Sequence, residues 1–219
     1  MSGSWIPADW SAPESVIAGM TLRDSSFDDL ALAGHPCWLN QVHGADVVIA
    51  QDFETPPDAD AAIGRSTNDV CVVRTADCLP VLISSVDGTE IAAAHAGWRG
   101  LAAGIIEATI SRMRHDPDEL LVWLGPAISQ PAFEVGDEVR AAFIAQAPDD
   151  AEHFEANARG RWQADLYGLA RRRLRALGVA EITGGEFCTH AERERFFSYR
   201  RNPDCGRMVS FVTIQGLEK

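Results

Sequence analysis

A chain of 219 residues with 46% hydrophobic content is long enough to bury one sizeable core, and its length fits a single domain. Nineteen basic against 32 acidic residues leave a formal net charge of −13, which repels nucleic acid backbones; no nucleic-acid partner is expected, and an anionic ligand would need a local basic pocket. No apolar run approaches the ~20 residues of a membrane span, and the opening "MSGSWIPADWSAPESVIAGM" lacks the basic start and apolar core of a signal peptide, which predicts no membrane association and a cytoplasmic location.

In chain order, residues 1–36 are interrupted by Pro7, Pro13, Gly19 and Gly34 and read as mostly coil with one short strand. Apolar patterns then predict strands over 37–43, 46–50, 69–75, 79–84 and 90–95, with "PPDAD" (56–60) as a loop. After His95 the period becomes helical, with Leu101, Ile105, Ala108 and Ile110 or Met113 recurring every three to four residues, until "HDPDE" stops it ahead of a strand "LLVWLG". Helices follow over 135–147 and 164–178, the second ending at a Gly178 suited to a helix C-terminus. The run "RRRLR" (171–175) on that helix reads as a solvent-facing surface. The chain closes with strands in "EITGGEF" and "RMVSFVTI", joined by a polar, Arg-rich connection. These elements predict an α/β fold, one domain over 1–219 with a mixed sheet and packed helices.

The stretch "TADCLPVLISSVDGTEIAAAHAGWRG" (75–100) carries a cysteine and a histidine on two strands of a hairpin. With Ser85 to Gly88 as the loop, Cys78 lies directly opposite His95, their Cβ atoms about 4.5 to 5.5 Å apart. With Asp87 and Gly88 at the centre of a tight I′ turn, Cys78 is diagonal to His95; sulfur and imidazole meet in either register. Pro80 cannot donate to a ladder, which places this stretch at a sheet edge or a strand start. A thiolate and an imidazole suit zinc or copper, and His43, at the end of "CWLNQVH" and before Gly44, is the candidate third ligand of a site with one open position. The five cysteines at 37, 71, 78, 188 and 205 show no CxxC spacing, which argues against a disulfide framework.

The segments "NQVHGADV", "TADCLPVLI", "AAAHAGWRG", "GPAI", "FEVGDEV", "FFSYRR" and "GRMVSFV" occur in that order from residue 40. Over roughly residue 37 to the end, the chain resembles the YfiH-like laccase-domain family, also described as multicopper polyphenol oxidase or purine nucleoside phosphorylase. The resemblance implies His43, Cys78 and His95 as metal ligands. It implies a zinc-dependent enzyme that phosphorolyses adenosine, inosine and methylthioadenosine to base and sugar phosphate and also deaminates adenosine. Copper and phenol oxidation are likewise associated with the family. Two departures stand out: residues 1–36 are short and divergent, keeping Arg23 and Phe27 of the usual opening segment, and "SQPAFEVG" lacks a cysteine pair often found there.

A metal held by one thiolate and two imidazoles would lower the pKa of a water in its fourth position or polarise phosphate or base. Arg99, where a strand gives way to a helix, is the candidate for holding phosphate and, with Cys78 and His95, for catalysis; Arg200 and Arg201, after "FFSY", are candidates for contacting a purine. Asp46, Asp77 and Glu134 are candidates for orienting an imidazole or acting as general acid. Three other readings compete. One is a hydrolase with Cys78 as nucleophile and His95 as base, acting on an amide of a peptidoglycan precursor. Another is a copper-dependent polyphenol oxidase, for which six histidines (35, 43, 95, 115, 153 and 190) are too few to build a blue centre plus a trinuclear cluster. The last is a non-catalytic binding module. Nucleoside and phosphate are the expected partners, and a homodimer is compatible with the chain.

Overall fold

The computed structural model describes residues 4–216. Fourteen strands and four α-helices run in the order β1 (Trp5–Pro7), β2 (Val16–Thr21), β3 (His35–Cys37), β4 (Val47–Ile49), β5 (Ala61–Gly64), β6 (Asp69–Thr75), β7 (Leu79–Ser85), β8 (Ile91–Ala96), α1 (Trp98–Ala103), α2 (Ile105–Arg112), β9 (Leu120–Leu124), β10 (Glu134–Val135), α3 (Asp137–Ile144), β11 (Phe154–Ala156), β12 (Trp162–Ala164), α4 (Leu166–Leu177), β13 (Glu181–Gly184) and β14 (Met208–Ile214). They form a mixed six-stranded sheet, β13-β9-β7-β8-β5-β4, a five-stranded sheet, β1-β2-β14-β6-β3, and a small three-stranded one, β10-β12-β11. The fold is thus the single mixed α/β domain expected, with several sheets where the sequence reading had one.

Side-chain alternation stacks the layers. Along β7, Val81 and Ile83 join the core against the helices, while Leu82 joins a second core with Cys71 and Val73 of β6 and Val212 of β14, between the two large sheets. A strand buried on both faces reads as an unbroken apolar run, as "LPVLIS" does. On β8, Ala92, Ala94 and Ala96 face the helices, and Ile91 and Ala93 face the other sheet. Period-two alternation therefore carries His95 to the inter-sheet side, at the end of the strand.

Several local expectations change. The strand expected over 37–43 stops at Cys37, and the stretch leading to His43 is irregular. The helix expected after His95 is broken in two by Gly104, whose φ of 90° only glycine adopts without strain. The strand in "EITGGEF" ends at Gly184, where two successive glycines take positive φ. The helix expected from residue 135 begins at Asp137, because Glu134 and Val135 pair with β12. Three strands occupy residues before 38, where one was expected, and β5, β11 and β12 went unread; these are three- or four-residue strands too short to show a period. Arg173 of "RRRLR" is buried, paired with Glu107 at 2.7 Å and Asp150 at 3.3 Å, so that run is not wholly solvent-facing. Pro80 stands at a strand start, one of its two expected places, as the second residue of β7, although that strand is central and not an edge; its pair with His95 shares no ladder bond, because the His95 N–H donates to Asp60 on the opposite side. Among the described residues, no helix is long and apolar enough to cross a membrane.

The inter-sheet core yields a first test. Leu82 is fully buried, and Leu82→Ala should lower the unfolding free energy by about 2–5 kcal/mol in urea titration; a loss well below that would mean the two sheets do not share a close-packed core.

Candidate metal centre

The hairpin register pairs Leu79 with Ala96 and Pro80 with His95. Cys78, one residue before β7, therefore lies diagonal to His95, in the register that centres the hairpin on Asp87 and Gly88. The turn itself is wider than a I′ turn: Ser85 N–H donates to Glu90, the Ser85 carbonyl accepts from Gly88 N–H, and only Gly88 of the turn takes positive φ. Across from Cys78 comes Gly97, and it must be glycine, since a Cβ there would sit 2.9 Å from the Cys78 sulfur and 3.4 Å from the His43 ring.

The third side chain arrives from the irregular stretch, through a residue that sequence reasoning missed. Asp60 precedes β5 and lies directly opposite His95, extending the register in which Ala61 pairs with Ala94. Its carbonyl accepts from the His95 N–H at 2.7 Å, and its carboxylate meets His95 Nδ1 at 2.8 Å. The same fully buried carboxylate accepts from three successive backbone N–H groups, those of Val42 (3.2 Å), His43 (3.0 Å) and Gly44 (2.7 Å). That clamp holds His43 at a φ of 60°, a left-handed conformation uncommon outside glycine. The His43 and His95 rings end 4.8 Å apart, near perpendicular. One nitrogen of each imidazole and the Cys78 sulfur all lie within 4.8 Å of one another, and among the described residues this is the one group of three or more such side chains able to hold a metal ion.

The electrostatics follow from that packing. Burial pushes the Cys78 thiol up, but hydrogen bonds from His43 and His95 outweigh it and bring the thiol down to about 6. Burial lowers the His95 imidazole, while its bonds to Asp60 and Cys78 raise it to about 9. Asp60 is lowered, its burial being opposed by His95 and the backbone N–H groups of Gly44 and His43. With Nδ1 engaged by Asp60, Nε2 is the His95 nitrogen free for the sulfur or an ion. A thiolate, two imidazoles and a carboxylate fixing one ring make a donor set that fits zinc with an open fourth position.

The three residues open into a cavity of about 850 Å³. Arg99 and Arg200 line it, and so do Arg74 and Arg207, which the sequence reading did not single out. Arg99 stacks over Trp98 at 4.7 Å and Arg200 over Phe133 at 5.5 Å, the latter also donating to the Glu134 carbonyl. Arg201 does not line the cavity: its guanidinium donates to the carbonyls of Thr189, His190 and Phe196, so it ties the Arg-rich connection together and is removed from the expected purine contact. Asp77 also serves the connection, accepting from Thr189 Oγ1, Ser198 Oγ and Arg200 N–H. Glu134 accepts from Asn157 and pairs with Arg159, and Asp46 contributes its backbone carbonyl to Asp60, so neither orients an imidazole.

This is the class defined by the fold and the site: a one-domain mixed α/β protein with a Cys/His cluster opening into an arginine-lined cavity. The chain belongs to the family described as multi-copper polyphenol oxidoreductase laccase, which matches residues 19–215. It is 45% identical over 240 aligned positions to a Pseudomonas aeruginosa protein named purine nucleoside phosphorylase, with 97% of this chain and 99% of that one covered. An alignment longer than this chain means that the relative carries residues with no counterpart here. Over 184 positions it is 50% identical to the Escherichia coli protein named purine nucleoside phosphorylase YfiH, covering 84% of this chain and 75% of that one. Of solved structures, a Neisseria meningitidis protein matches with a TM-score of 0.93 at 39% identity, covering 98% and 100% of the two chains. YlmD from Geobacillus stearothermophilus matches with a TM-score of 0.89 at 25% identity over 99% and 98%.

The lowered thiol gives a direct test on metal-free protein. One thiolate absorbance step should titrate near pH 6, present above it and lost below, and Cys78→Ala should abolish that step. A first step only in the range of an ordinary cysteine, near 8.5, would contradict the geometry.

Proposed function

We propose that the protein is a metal-dependent purine nucleoside phosphorylase, with zinc the metal and adenosine deamination a second activity. The observation that carries this reading is the cavity: a three-donor cluster of His43, Cys78 and His95 shares it with four arginines in a chain of net charge −13. The names of the Pseudomonas and Escherichia relatives support the same chemistry.

Phosphorolysis joins a phosphate oxygen to the anomeric carbon while the bond from that carbon to the purine breaks and the base leaves with a proton. Arg99 and Arg200 would hold the phosphate, each through a planar fork of donors suited to its oxygens. The aromatic rings beneath them, Trp98 and Phe133, hold the guanidinium planes and offer apolar surface to the nucleoside. His95 would ligate through Nε2 as a neutral imidazole, its Nδ1–H donated to Asp60, and His43 and Cys78 would complete the set. When bound, zinc would add a net positive charge and Lewis acidity beside the phosphate and the departing base. For deamination, water would be the nucleophile and would attack C6 of the adenine ring, the C6–N bond breaking and the amino group leaving as ammonia while the glycosidic bond stays intact. Five scattered thiols, two of them buried with raised pKa, suit the reducing cytoplasm.

A second reading has its own observation. Cys78, His95 and Asp60 form a thiolate, imidazole and carboxylate chain of the kind used in covalent catalysis, which would make the protein a cysteine hydrolase. His43 favours the metal, since a hydrolytic triad has no use for a second imidazole on the sulfur.

Zinc-loaded protein incubated with inosine and phosphate should release hypoxanthine and ribose 1-phosphate, and Cys78→Ala and His95→Ala should each abolish turnover. Turnover that survives in both variants would reject the site, and activity that rises on chelation would favour the hydrolase.

A further inference from the structure

Phosphate would occupy Arg99 and Arg200, which leaves two cavity arginines without a role. Arg74, next to last in β6, stacks over Trp38 at 5.7 Å and donates to the Leu39 carbonyl; Gln41 brackets its backbone, accepting from its N–H at 2.8 Å and donating to its carbonyl at 2.9 Å. Arg207 stacks over Tyr199 at 5.7 Å and donates to the carbonyls of Cys205 and Gly206. All three side chains, Arg74, Arg207 and Tyr199, line the cavity. Each guanidinium is thus held by a ring and a carbonyl but keeps further N–H donors unassigned.

The charge balance goes beyond what phosphorolysis of a neutral nucleoside requires. Acids outnumber bases 32 to 19 in the chain, yet among the described residues four arginines and a single carboxylate line this cavity. That carboxylate, Asp77, is already engaged by Thr189, Ser198 and the Arg200 N–H. Inorganic phosphate answers two arginines, and a neutral nucleoside answers none. The volume, about 850 Å³, lies toward the upper end of the ~300–1,000 Å³ that small-molecule sites span.

Resting on the phosphorylase reading, we infer that Arg74 and Arg207 form a second anion subsite, and that the cavity takes purine nucleosides whose ribose carries a phosphate ester, that is, mononucleotides. Tyr199, half-exposed beside Arg207, supplies an aromatic face at the same subsite.

Calorimetric binding in phosphate-free buffer tests this without relying on turnover. Inosine 5′-monophosphate, inosine, ribose 5-phosphate and inorganic phosphate are titrated separately into the wild-type chain and into the double variant Arg74→Gln/Arg207→Gln. The monophosphate should bind the wild type at least roughly tenfold tighter than inosine, an advantage that falls as salt is raised and collapses in the double variant. Monophosphate no tighter than inosine would overturn the inference. So would an advantage that the double variant retains, because the ester would then sit on Arg99 and Arg200. Inorganic phosphate or ribose 5-phosphate binding as tightly as the monophosphate would also overturn it, since the base would then contribute nothing. The phosphorylase reading fails separately, by absent hypoxanthine release from inosine and phosphate.

Discussion

One buried carboxylate organises the site. Asp60 sits where β5 begins, directly opposite His95, and its two oxygens take up four hydrogen-bonding groups: three successive N–H groups of the stretch that carries His43, and one ring nitrogen of His95. A buried carboxylate is costly unless such partners compensate it, and here the compensation is the site itself. Without Asp60, His43 has no reason to hold a left-handed backbone, and the His95 imidazole has no fixed orientation toward Cys78. The fold supplies the rest: β7 and β8 set Cys78 diagonal to His95, and Gly97 keeps the space between them clear.

How much of this could be read beforehand depended on how local each determinant is. The strands β6, β7, β8, β9 and β14 carry long apolar runs, and their positions were legible to within a residue or so. The meeting of Cys78 and His95 followed from hairpin arithmetic, and the register that centres on Asp87 and Gly88 is the one formed. His43 was reached by its place in the chain beside glycine, although the strand expected to carry it stops six residues earlier. Asp60 was not found, because β5 is a four-residue strand, "AAIG", with no periodic signal, and an acid before it looks like any loop aspartate. The one cue was an Asp immediately ahead of small apolar residues; its pairing with His95 needs the β5–β8 register, a contact 35 residues apart. Arg74 and Arg207 were missed for a similar reason: one is next to last in β6 and the other lies just before β14, and only the pairing of those strands, which sets Met208 against Thr75, brings both to one cavity. Arg201 errs the other way, a neighbour of Arg200 in sequence whose donors serve the connection's own carbonyls.

The overall charge of the chain and the local charge at the cavity point in opposite directions. A chain of −13 keeps polyanions at a distance through its summed field. At the cavity, four exposed arginines, their guanidinium groups over Trp98, Phe133, Trp38 and Tyr199, gather the positive charge that the chain as a whole lacks. On the proposed reading, this combination would favour small anions such as phosphate over polyanions.

The claim on which everything else rests is that Asp60 assembles the three ligands. Zinc affinity of the Asp60→Asn protein, measured by chelator competition on samples whose folding is checked by circular dichroism, tests it most directly. The account predicts affinity weakened about 10- to 100-fold with the fold retained. Wild-type affinity in a folded Asp60→Asn protein would show that the ligands assemble without the carboxylate, and would contradict the account.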